Sequence, residues 1–295
     1  MHAPLFNYYK PSEELRKYIR FYLDVRIHKD QFLGNTAVNY PTVFPAINLV
    51  YSKKTNDYRV GDKTYRDYRL FTGGMTKLPA QLLTHNESAL ITVFFYPCGF
   101  QHVFNITIKR MANCFVKLSD IEPGFSNELF EKVLNEHDAG KRIHYMDKYF
   151  KDRLAESNWH KPYLDSVVNL VLAKKANIKI KEITRLTGFS ERSLRRWFYD
   201  DMGITLKEFI DIARINFASV QLTGTANEPT QKLVYELGYH DQSHFLKHLR
   251  KYLGITSSKF SELKKTFLYH YADIEGSNPP FINTQVKKHV SGSGK

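Results

Sequence analysis

Two clusters of polar side chains stand about fifty residues apart in this 295-residue chain. The first, Glu191, Arg192, Arg195 and Arg196, follows the stretch GFS. The second, Gln242, Ser243, His244 and Lys247, follows GYHD. Arginine presents a planar fork that matches guanine edges or phosphate oxygens, and Gln, Ser and His can hydrogen-bond base edges. Lysine is a point charge suited to phosphate. On a helix, residues three or four positions apart share a face, as Arg192 does with Arg195 and Arg196, and Lys247 with Ser243 and His244. Each cluster would therefore present its hydrogen-bonding groups together.

The elements that must position these residues are written twice. GFSERSLRRWFYDDMGIT starts at Gly188, and GYHDQSHFLKHLRKYLGIT starts at Gly238. With one extra residue in the second copy, Gly188 matches Gly238, Leu194 matches Phe245, Phe198 matches Leu249, Gly203 matches Gly254, and Phe209 matches Phe260. Each opening glycine follows a short helical segment, KEITRLT or QKLVYEL, and sits where the chain must leave a helix with positive φ. Ser190 and Asp241 are good N-caps for the helix that follows. Leu194 and Phe198, like Phe245 and Leu249, form the inward seam, which leaves the polar clusters outward. Between the copies, Thr205 and Glu208 make a capping box that opens TLKEFIDIARINFASVQL. That segment predicts a rod of about 27 Å at 1.5 Å per residue. It could hold two recognition helices toward major grooves that recur every 34–36 Å or so. A charge run by itself is usually a solvated face. Two copies, each with glycine, cap and polar outer face, favour a reader of double-stranded DNA.

Residues from about Leu164 to Leu263 resemble the DNA-binding domain of the AraC/XylS transcription regulators. The likeness is carried by Ile183, GFS, Leu194, Arg196, Phe198, Gly203, Phe209, Arg214 and Ala218, and resumes as LGYHDQSHFLKHLRKYLGITSSKF. The sequence departs from the family pattern at Thr184 and Val234-Tyr235, at Leu206 and Ser257, and at Lys247 and Leu249. Lysine at 247 lacks the bidentate fork, which weights base reading toward the first copy. The resemblance implies transcription regulation, more commonly activation. It implies a cupin-like partner domain that takes a small-molecule effector. RNA polymerase and a second copy of the chain are further candidate partners.

Charge agrees with a polyanionic partner. Lys and Arg number 43 against 30 Asp and Glu, a net +13. Residues 161–268 hold 18 basic against 11 acidic side chains, and residues 1–160 hold 22 against 17, so the surplus is denser in the helical half. Cys98 and Cys114 are too few for a disulfide framework or a CxxC metal site, which suits a reducing compartment. The opening MHAPLFNYYKPSEEL lacks a signal-peptide pattern, and ALITVFFYP is too short for a membrane helix. We therefore expect a cytoplasmic protein with no membrane partner.

The first 120 or so residues read as strands: VFPAINLVYS, DYRVGDKTYRDYRLFTGG and ALITVFFYPCGF. Gly73-Gly74 reads as a turn. Helical spacing begins near Ser126, with Leu129, Phe130, Val133 and Leu134, then Ile143, Met146, Phe150 and Leu154. Those two helices suit packing on the barrel or a dimer interface. SNWHK marks a boundary. The expected fold is α+β: an antiparallel, cupin-like barrel or sandwich with two helices over residues 1–156, a double helix-turn-helix domain over 160–268, and a flexible tail over 269–295. Phe44, Tyr51, Phe94 and Tyr96 are candidates to line an effector pocket, although such aromatics more often simply fill a core. His2, His28, His85 and His102 show no metal-ligand spacing, so neither a cofactor nor an enzymatic site is expected. The competing class is a ligand-binding or enzymatic barrel whose helical half makes protein contacts.

Overall fold

The computed structural model describes residues 5–27, 36–83, 85–122, 127–223 and 231–254. The strand-rich segments form two antiparallel sheets. β2 (Ile19–Ile27) and β9 (Ser88–Phe95) are the longest strands, paired with Tyr22 opposite Val93 and Val25 opposite Leu90. They bury Leu23, Val25, Ile91, Val93 and Phe95 and form the spine of the first sheet. β1 (Leu5–Tyr9) flanks β2. β4 (Ala46–Val50), β7 (Leu70–Gly73) and β10 (Phe115–Lys117) follow on the other side, in the order β1-β2-β9-β4-β7-β10. The second sheet runs β3-β8-β5-β6, from β3 (Thr36–Asn39), β8 (Ala80–Leu83), β5 (Asp57–Val60) and β6 (Lys63–Tyr65). Tyr58, Tyr65, Phe71 and Phe115 meet edge-on or tilted, with ring centroids 4.7–5.7 Å apart. These contacts join strands of the two sheets, Tyr58 and Tyr65 from the second and Phe71 and Phe115 from the first.

Two local readings need correction. Gly73 is not in a turn. It ends β7 opposite Ala46 and Phe115, and an added Cβ would lie 2.9 Å from the Phe115 ring. Gly74 follows with its N–H on Met111 O, where a Cβ would come within 2.9 Å of that oxygen. Close approach, not chain reversal, explains the pair. The first half also contains a helix, α1 (Gly99–Phe104), hidden by its shortness. Phe100 and Phe104 pack against Phe95, and Phe104 also meets Phe150.

The helical spacing after residue 126 becomes α2 (Asn127–Asn135) and α3 (Ala139–Glu156), with Asp138 capping α3 by accepting from the Lys141 N–H at 2.8 Å. The apolar side of α3 lies on the sheet. Phe150 stacks near Tyr22 and Phe95, and the Tyr22 hydroxyl donates to Asp147. Of the two roles open to these helices, packing on the β-part is the one that accounts for Ile143, Met146 and Phe150.

Six helices complete the described chain: α4 (Pro162–Ala173), α5 (Ile180–Thr187), α6 (Glu191–Met202), α7 (Leu206–Thr223), α8 (Gln231–Glu236) and α9 (Gln242–Leu253). α7 is the hub, buried almost all round through Leu206, Phe209, Ile210, Ile212, Ala213, Ile215 and Ala218. An amphipathic rod would bury one stripe. This one buries more because the β-part covers it too. Asn216, fully buried, donates to Pro41 O at 2.8 Å and accepts from the Val43 N–H at 3.3 Å. Lys77–Glu208 and Lys109–Asp200 pair across the same seam at 2.9 and 2.8 Å. Ile255, Thr256, Ser257 and Phe260 of the second copy, and the tail over 269–295, lie outside the described residues.

Candidate nucleic-acid interface

Each predicted reader is built from a glycine, a cap and an apolar seam. α5 ends at Gly188, whose φ of +73° lets its N–H reach Thr184 O. The Ser190 hydroxyl then accepts from the Ser193 N–H at 3.1 Å and starts α6. In the second unit, Gly238 has φ +75°, and Asp241 Oδ1 accepts from the His244 N–H at 2.7 Å to start α9. Bonding to this N–H, and to His240, holds the Asp241 carboxyl below its ordinary range. α6 and α9 each run 12 residues and stop at glycines with φ +73° and +67°. Leu194 and Phe198 point inward from α6, as do Phe245 and Leu249 from α9, all within 2% of full burial. Between the units, the Thr205 N–H donates to Glu208 and the Glu208 N–H donates back to the Thr205 hydroxyl.

The outward faces carry the predicted residues. Arg192, Arg195 and Arg196 are exposed on α6, and Gln242, Ser243, His244 and Lys247 are exposed on α9. Glu191 is engaged differently. Its Oε1 accepts from Arg195 Nε at 2.9 Å and from Arg195 Nη2 at 2.5 Å, one turn away. Arg192 and Arg196 have no hydrogen-bond or ion-pair partner among the described residues. His244 is not a free ring either, since it meets His248 at 4.7 Å and Tyr239 at 5.3 Å. Arg214, part of the sequence signature, is buried. It donates twice to Ala176 O and lies over the Tyr239 ring, so it braces α7 against the second unit.

The last turn of α6 faces protein. The Asp201 carboxylate is buried and accepts from Lys161 and from the Tyr163 hydroxyl, whose pKa is raised by burial first and by Asp201 next. Asp201 O accepts from the Ile108 N–H, and Gln101 donates to Met202 Sδ at 3.1 Å. The face available to a ligand is therefore the first two turns. Nothing in the α6 sequence signals this, because the partners lie between 38 and 101 residues upstream.

The four effector candidates do not line one pocket. The Arg20 guanidinium sits 4.1 Å over Phe44 and 6.0 Å from Tyr96, and Phe21 links it to Phe94. Tyr51 stands apart. Its hydroxyl donates to Asp24 at 2.6 Å, beneath the Arg142 guanidinium, and burial with the Asp24 charge pushes it up to about 12. Among the described residues, no group of three or more His, Cys, Asp or Glu side chains gathers to hold a metal. No helix among them is long and apolar enough to cross a membrane.

Comparison with known proteins adds the following. A family model described as a helix-turn-helix domain matches residues 183–262, and one described as a domain of unknown function matches residues 7–117. No curated protein matches the chain. Among solved structures, ToxT from Vibrio cholerae O395 is similar at 13% identity, over 88% of this chain and 98% of that one, with a TM-score of 0.47. Wild-type ToxT from strain SCE256 with an unsaturated fatty acid bound is similar at 14% identity, over 88% and 95%, with a TM-score of 0.45. The AraC-like transcriptional activator CuxR is similar at 12% identity, over 72% and 79%, with a TM-score of 0.29.

Proposed function

We propose that the protein is a sequence-specific regulator of transcription of the AraC type that lays α6 and α9 into successive major grooves, a reading supported by the match of residues 183–262 to a helix-turn-helix family model. The observation that carries this reading is the equality of the two units. Each has a positive-φ glycine, a side-chain N-cap and a 12-residue helix with a buried seam and an exposed polar face, and one rod joins them. A surface evolved only for protein contact has no need of matched caps at a fixed separation. A two-groove reader does.

Arg192, Arg195 and Arg196 are proposed as base and phosphate contacts of the first unit, with Glu191 holding Arg195 until DNA takes its place. Gln242, Ser243, His244 and Lys247 serve the second unit, with Lys247 on phosphate. Residues 1–156 are the regulatory part and residues 160–268 the reading part. Activation is the proposed role, on family resemblance alone. RNA polymerase is the protein an activator would touch, and a second copy of the chain would bring a second pair of readers. No catalytic step is proposed.

The test is selection of the purified full chain against random double-stranded DNA at fixed, near-physiological salt. The expected product is two short boxes about one helical turn apart. Affinity for the selected DNA should then fall linearly with log salt, with a slope near −0.9 for each phosphate contacted. Absence of enrichment together with a flat salt dependence would leave the protein-contact alternative in possession of the field.

A further inference from the structure

A cleft with a cavity volume of about 670 Å³ opens at the seam between the two parts of the chain. The β-part contributes Arg16, Lys17, Tyr18, Tyr96, Cys98 and His102. The helical part contributes Asp165, Val168, Asn169 and Leu172 from α4 and Phe217 from α7. Small-molecule sites commonly measure about 300–1,000 Å³ and concentrate at domain boundaries. They combine apolar walls with a few placed polar groups, and this cleft has that make-up.

Its polar groups divide by occupation. The Asp165 carboxylate is already paired across the seam, its Oδ1 2.9 Å from His102 Nε2, and burial followed by the Asp165 charge raises the pKa of the Cys98 thiol beside it. Arg16 and Lys17 are exposed and have no carboxylate partner among the described residues. The one side-chain hydrogen bond described for Arg16 goes from Nε to Pro11 O, at 3.4 Å. The lining thus keeps a positive surplus beside an aromatic and aliphatic wall of Tyr18, Tyr96, Val168, Leu172 and Phe217. The Tyr18 and His102 rings meet on the lining with centroids 5.1 Å apart and a tilt of 46°.

From this we infer that the cleft binds a small organic anion. An apolar, preferably aromatic body rests on Tyr18, Tyr96, Val168, Leu172 and Phe217, and a carboxylate, sulfonate or phosphate group faces Arg16 and Lys17. The inference deepens the effector half of the proposed function and is independent of the DNA half. It moves the effector from the aromatic interior of the β-part to the seam, where Tyr96 is the one sequence-level candidate that lines the space. A ligand there touches both parts at once, so it binds the docked arrangement better than a separated one and favours docking by its differential affinity.

The experiment titrates the full chain, without DNA, with 8-anilinonaphthalene-1-sulfonate, read by fluorescence and calorimetry. Saturable binding of one equivalent is expected. The Arg16→Gln/Lys17→Gln double variant changes two exposed side chains, so its melting temperature should hold while Kd weakens at least tenfold. Asn169→Trp, on the exposed side of α4, should fill the cleft and abolish binding with an unchanged melt. N-phenyl-1-naphthylamine, the uncharged analogue, should lose nothing on removal of the two cations. Displacement by 4-phenylbutyrate or by phenyl phosphate then tells which anionic group the cations prefer. No saturable binding, or binding that both variants retain, overturns the site. Either result stands whatever the DNA selection yields.

Discussion

The ion pair between Glu191 and Arg195 gives the sharpest test of how α6 reads. In the free protein both Arg195 donors rest on one Glu191 oxygen, so contact with DNA must first break that pair. An exposed i,i+4 pair is worth about 0.3–0.5 kcal/mol, whereas a bidentate arginine–guanine contact is worth about 1–3 kcal/mol. The exchange is therefore favourable, and Glu191 should act as a weak competitor for Arg195. Glu191→Ala should tighten binding to the selected DNA by about twofold, since 0.5 kcal/mol is a little over a factor of two. Arg195→Ala should weaken it by about 5- to 150-fold, and the loss should vanish on DNA already changed at the base pair Arg195 reads. In the Arg195→Ala background, Glu191→Ala should do almost nothing, because its effect runs through Arg195. Fluorescence anisotropy at fixed salt, on the selected duplex and on single-base variants, measures all four corners of the cycle. Two outcomes would refute the reasoning. An equal Arg195→Ala loss on every sequence makes Arg195 a phosphate anchor. A weakening by Glu191→Ala makes Glu191 itself a reader of a cytosine amine, not a holder of Arg195.

Three further expectations follow from the packing. Gly188→Ala meets no atom within 4 Å, so its cost is the positive φ alone, about 1–2 kcal/mol; Gly238→Ala carries that cost and also drives a Cβ to 2.4 Å from Asn177 Oδ1. Urea denaturation should show Gly238→Ala as the more destabilised, and Asn177→Ala beside it should remove the difference. Asn216→Leu would orphan the Val43 N–H and lose the Pro41 bond in a buried seam, lowering stability by about 2–4 kcal/mol; a neutral result would mean the seam is not held as described. His248 is held to about 4, by burial first, so the unfolded chain takes up its proton near 6.5 and the fold resists it over that window. Stability should fall as pH drops from 6.5 toward 4, by about 1 kcal/mol once its half-exposed setting is discounted. His248→Gln should flatten that slope in urea midpoints taken at pH 7 and 5.

The helix-turn-helix half was legible in its fold because its information is local. Gly188 and Ser190 lie within four residues of the helix they position, as do Gly238 and Asp241, and Thr205 is three residues from Glu208. Capping and glycine turns are short-range devices, and their signatures survive in one sequence. The seam was illegible for the opposite reason. Asn216 bonds residues 41 and 43, Asp200 bonds Lys109, and Asp165 bonds His102, with no pattern at any fixed spacing. Gly73 and Gly74 mislead on the same ground: a close approach from residues 111 and 115 has no trace in the neighbouring sequence. The aromatics of the first half gave composition without geometry. That is why Tyr51, bonded to Asp24, and Tyr96, lining the cleft, could not be told apart in advance.

Helix α7 joins these two kinds of information in one element. It sets the separation of α6 and α9, through the capping box at one end and the Arg214 brace on Tyr239 further along. It also carries Glu208 and Asn216 into the seam and Phe217 into the cleft. A rod tied to both cannot shift in the seam without carrying the two readers or straining the bonds between them. An anion seated against Phe217 should therefore alter how well the protein tolerates a change in distance between the two boxes. It should leave the base preferred within each box alone, because the caps and seams of α6 and α9 are internal to their units. Binding to duplexes whose boxes are separated by one base pair more or fewer, with and without saturating 8-anilinonaphthalene-1-sulfonate, measures this directly. A change in base preference within a box, with spacing tolerance untouched, would show that the cleft acts on one reader and that α7 does not carry the coupling.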